Sequence, residues 1–168
     1  MAMLCRSALI ALTCASPALA EIQLEFIEGA PKDRFVIVNA SDCRLSDAVL
    51  TIDLRTAAAP LIFDVTDAGA GVEVFQPFDI LEGASHLMDM PTVRDGDMQI
   101  DLHLRHFPAW DRITFTIDMD DTQSTRGTTV SFDEFQGAQA LLTLPEGVTS
   151  AAFNDRARAV LQVPGCDT

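Results

Sequence analysis

The chain has no tyrosine, one tryptophan, and 11 lysines and arginines against 25 aspartates and glutamates in 168 residues. The shortage of positive charge, a net −14, excludes nucleic acid and anionic membrane surfaces as partners, because such a field repels polyanions. It leaves cations, basic partners or plain solubility. Long hydrophobic runs are also missing beyond the first residues. Nothing there approaches the roughly 20 apolar residues that span a bilayer. Hydrophobic residues still make up 48% of the chain, too many for a disordered polymer.

What is present begins with "MAMLCRSALIALTCASPALA". Arg6 gives a positive start, residues 8–15 an apolar run, and Ala18 and Ala20 the small residues that a signal peptidase reads. Residues 1–20 are expected to be a secretory signal peptide, with periplasmic or secreted destination. The run is too short for a membrane anchor. Removing twenty of the 168 residues leaves 148, one domain, with 10 basic against 25 acidic residues and a net charge of −15. Cys5 and Cys14 leave with the signal. Cys43 and Cys166 remain, and in an exported chain they are expected to form one disulfide.

Period-two alternation dominates the rest. In residues 21–28 Ile22, Leu24 and Phe26 share a face; in 34–40 it is Phe35, Ile37 and Asn39; in 48–55 Leu50, Ile52 and Leu54. The pattern continues in 60–65, in 98–106 with Met98, Ile100, Leu102 and Leu104, and in 112–120 with Ile113, Phe115, Ile117 and Met119. Residues 128–134, 138–144 and 156–163 complete the set. Gly- and Pro-rich breakers separate them. About nine short half-buried strands predict an all-β fold, an antiparallel β-sandwich or jelly roll over residues 21–168.

Candidate chemistry is sparse. Gly69 and Gly71 in "DAGAGVEVFQPFD" (67–79) lack the third glycine and following helix of a dinucleotide loop, and acidic neighbours disfavour phosphate. A glycine-rich hairpin leading into a strand at 72–75 fits better. Asp118, Asp120 and Asp121 form one oxygen-rich turn, and Asp95 and Asp97, near Asp101, a second. Converging carboxylates of this kind could hold calcium, although the spacing is not that of an EF-hand. Aspartates also populate plain turns. His103 and His106 fall on opposite faces of a strand, a poor metal pair. His86 stands alone, with a packing or solvated role. With no G-x-S-x-G nucleophile setting, no catalytic residue is assigned and the chain is expected not to be an enzyme. Asn39-Ala40-Ser41 has the form of an N-glycosylation sequon. Trp110 is the one tryptophan a glycan could stack on; packing beneath the following strand is the alternative.

Residues 26–43, 61–78, 95–102 and 115–122 together resemble the aggregation-factor core family, "GAGVEVFQPF" most specifically. That family is similar to the ring-forming core of the sponge aggregation factor. The resemblance implies an exported, non-enzymatic module that self-associates in a cell-surface or adhesion-type assembly, with calcium as an accessory. It carries over no catalytic residues. The alternative is a glycan- or calcium-binding module without assembly.

Overall fold

A computed structural model describes residues 20–67, 75–123 and 129–164. Among them are eleven strands, all antiparallel where paired, in sheets that pack against one another as an all-β sandwich. The five-stranded sheet has the order β11-β1-β2-β7-β5: β11 is Arg158–Gln162, β1 Glu21–Ile27, β2 Asp33–Asn39, β7 Arg112–Ile117 and β5 Asp79–Glu82. The four-stranded sheet runs β10-β9-β3-β6, with β10 at Gly147–Ala152, β9 at Gln139–Leu144, β3 at Leu45–Asp53 and β6 at Gln99–Phe107. A small pair, β4 (Leu61–Phe63) and β8 (Met119–Asp121), stands at one corner.

Alternation builds the core. Ile22, Leu24, Phe26, Phe35, Ile37, Leu50, Ile52, Ile100, Leu102, Ile113 and Phe115 are all buried between the sheets. Burying side chains of this size stabilises by about 1.5–3 kcal/mol each. The phenylalanines form a continuous stack: Phe26 lies 4.2 Å from Phe135, and Phe35 and Phe78 each lie 5.0 Å from Phe115. Met98, expected on the inner face, is instead exposed just before β6 begins.

Three differences from the alternation have local causes. The strand expected at 128–134 gives way to a helical turn, α1 (Phe132–Phe135). Ser131 and Glu134 form a capping box that satisfies the first N–H groups, and only Phe135 needs burial. β10 carries no buried residue and so has no inward stripe to read; it is fixed by pairing with β9. The expected strand 112–120 splits at Asp118. Up to Ile117 it pairs with β2, and from Met119 it pairs with β4, so the chain turns the corner between two sheets. The strand expected at 72–75 lies almost wholly outside the described residues.

Candidate functional site

The corner at Asp118 gathers carboxylates. Asp33 opens β2 opposite Ile117, Asp64 follows β4, Asp120 sits in β8, and the 94–97 turn brings Asp95. Backbone bonds tie the corner together: Asp64 N–H donates to Asp118 O at 3.1 Å, Asp118 N–H to Gln76 O at 3.2 Å, and Gln76 N–H to Asp64 O at 3.3 Å. Gly96, at φ 82°, closes the 94–97 turn in a conformation that L side chains resist.

Electrostatics there are unfavourable to charge. Asp64 is 1% exposed, and neither of its oxygens meets an N–H or O–H donor among the described residues. Its neighbours are the carboxyls of Asp95 and Asp120, and a hydrogen bond between two carboxyls exists only where a proton is held between them. Burial first, then those two neighbours, push the Asp64 carboxyl up to about 8. Burial and the charge of Asp120 raise Asp118 to about 7. Burial also raises Asp33 to about 8; the Gly29 N–H, at 3.2 Å, opposes this and the Asp118 charge adds to it. The row can retain protons near neutrality.

The five acidic residues read from the sequence are divided. Asp120 and Asp95 meet at Asp64, and the Asp118 carboxyl acts on Asp120 and Asp33. Asp95 Oδ1 also accepts the N–H groups of Val65 and Thr66 at 3.0 and 3.2 Å. Asp97 instead accepts the Arg94 N–H at 2.7 Å, and Asp121 the Gln123 N–H at 2.9 Å, each closing its own turn. Among the described residues no group of three or more His, Cys, Asp or Glu side chains is placed to hold a metal ion. Asp33 and Asp64 were missed. The signal for Asp64 was a lone acid at the end of the apolar run Leu61-Ile62-Phe63.

A second polar centre lies at the opposite end of β2. Asn39 is fully buried, and its Nδ2 donates to the carbonyls of Cys43, Phe107 and Pro108 at 2.7, 3.0 and 2.9 Å. Its Oδ1 accepts from Ser41 Oγ at 2.6 Å. The sequon asparagine is therefore a structural pin with no free amide for a glycan. Cys43 is disulfide-bonded, while Cys166 lies outside the described residues. His86, which the sequence left isolated, is buried: its Nε2 lies 3.1 Å from Asp111 Oδ2, and its ring lies 5.7 Å from Phe107 and 5.6 Å from His106.

Trp110 rises from this pinned turn. It does not pack beneath β7; it is 66% exposed. Its backbone is left-handed at φ 62°, its N–H donates to Asn39 O at 2.8 Å, and its Nε1–H to Asp42 Oδ1 at 2.9 Å. An open cleft of about 630 Å³ lies elsewhere, along β6, lined by Arg55, Asp89, Asp101 and His103 among others. Its histidine and Asp89 are 3.9 Å apart and largely in solvent, and Asp101 is held by Thr51 Oγ1 at 2.6 Å.

No family model, curated protein or solved structure matches this chain.

Proposed function

We propose that the chain is an exported, non-enzymatic β-sandwich module that works by self-association in a cell-surface or adhesion-type assembly. One observation carries the reading. On the outer face of the five-stranded sheet, Val160 of β11 and Val38 of β2 flank Gln23 of β1 in one cross-strand row, with Val36 beside them. Val160 is nearly half exposed, and Val148 stands exposed on β10, which adjoins β11. Apolar side chains in a row on an open sheet face suit a second apolar face. The likeness of four segments to aggregation-factor core proteins supports the same reading. In so acidic a chain, calcium would screen the mutual repulsion of copies.

Light scattering of residues 21–168 in calcium and in chelator tests it. The expected result is a larger species in calcium that the double substitution Val38→Glu, Val160→Glu returns to monomer. A monomer under both conditions overturns the reading.

A cation-binding module without assembly is the second reading, favoured by the buried Asp64 carboxyl, which meets Asp95 and Asp120 and no N–H or O–H donor among the described residues. Calcium should then raise the thermal midpoint of the protein and leave that of Asp64→Asn unmoved. Equal shifts in both proteins would remove the corner as its site.

A further inference from the structure

Trp110 is a large apolar side chain held in water by a costly backbone. A left-handed conformation costs an L-residue roughly 1–2 kcal/mol. The fold recovers little burial from the indole, which is 66% exposed. The position is nonetheless fixed from three sides. Asn39 accepts the Trp110 N–H and clamps the carbonyls of Phe107 and Pro108, and Asp42 holds the indole Nε1–H. The Cys43 carbonyl, next to Asp42, is bound to the same Asn39 amide. A rigid aromatic on a preordered loop loses little entropy when something lies on it, which is the property of a binding anchor.

Its surroundings select the class of partner. The indole N–H donates to a carboxylate, which polarises the ring and makes its face more negative. Asp111, the next residue, keeps a partly exposed carboxylate beside His86. The whole chain carries net −14. A cation gains from the ring face, the flanking carboxylates and the overall field together. A neutral sugar gains from the face alone. A second copy of this chain brings 25 acidic against 11 basic residues, so a basic protein matches this patch better than a copy does.

The geometry points to a docking site in which an arginine or lysine side chain of a basic partner protein stacks on Trp110, flanked by Asp42 and Asp111. This goes beyond self-association and does not depend on it, since it rests on the indole and its carboxylates and not on the valine row.

The protein reports on itself, because Trp110 is its one tryptophan and it has no tyrosine. Its emission is followed while hexa-arginine, hexa-glutamate or maltohexaose is added at low salt. Hexa-arginine is expected to change the emission saturably, and the other two to leave it flat. By calorimetry Trp110→Ala should weaken hexa-arginine binding about tenfold, Trp110→Phe less, and Asp42→Asn should weaken it and lessen its salt dependence. Thermal unfolding of each variant confirms that it is folded. An acidic protein attracts a polycation anywhere on its surface, so hexa-arginine binding unchanged in folded Trp110→Ala overturns the proposal. So does a saturable response to maltohexaose, or no response to hexa-arginine.

Discussion

Asn39 shows how much one side chain can organise. A buried amide that satisfies three carbonyls and a hydroxyl replaces the backbone pairing those groups would otherwise need. Its place on the inward face of β2 was legible, since it shares the alternation of Phe35 and Ile37. What it does there was not legible, because two of its partners, Phe107 and Pro108, lie 68 and 69 residues away. Asn39→Ala should remove a donor from all three carbonyls, leaving Cys43 O only the Ser41 Oγ and Pro108 O only the Asp111 N–H, each at 3.4 Å, and cost about 1–3 kcal/mol, measured by urea unfolding. The same substitution should free Trp110, seen as a red-shifted and less anisotropic emission. A loss below about 1 kcal/mol would mean that water replaces the amide without penalty.

At the scale of elements, the corner formed by β2, β4, β7 and β8 couples folding to protons. Asp33 and Asp64 are raised to about 8 and Asp118 to about 7, from an ordinary 3.8. In the unfolded chain these groups lose their protons near pH 4; in the folded chain they keep them until pH 7 to 8. The folded state therefore binds more protons throughout that window. Stability is greatest at its acidic end, falls as pH rises through it, and levels off above about 8. Each group contributes a slope of up to about 1.4 kcal/mol per pH unit. Urea midpoints at pH 5, 6, 7 and 8 should decline in the native protein and decline less in Asp64→Asn. Equal declines would show that Asp64 is not among the groups responsible.

Element by element, the sequence was readable wherever one face is buried and the other is wet. β1, β2, β9 and β11 obey that condition throughout, and β3, β6 and β7 over most of their length. It failed where burial does not alternate. β10 buries nothing, β5 is a four-residue edge with a register shift, and α1 imitates a strand through Val130 and Phe132 while its capping box decides otherwise. The acidic corner was half legible for the same reason. Asp118 and Asp120 declare themselves as a pair in a turn, but Asp33 and Asp64 are brought to them only by pairing β2 with β7 and β4 with β8.

At the scale of the whole molecule, attraction between charges is local and repulsion is global. Arg158 pairs with Glu25 across β11 and β1 at 2.7 Å, and Lys32 reaches Asp79 at 3.5 Å. Such exposed pairs are worth little, in the range of about 0–1 kcal/mol. They use up basic residues that number only 11 against 25 acids. Most carboxylates thus face other carboxylates across the surface, and the compact state concentrates that repulsion. Salt screens interactions beyond about 10 Å at 0.1 M, which weakens the diffuse repulsion more than the close pairs. Raising sodium chloride from about 0.01 M to 0.3 M should therefore raise the urea midpoint at pH 7.5, by an amount equivalent to about 1 kcal/mol. The Arg158→Ala variant, one charge more negative, should gain more from the same salt. A midpoint that falls with salt in both proteins would mean that the close pairs, not the net charge, govern stability.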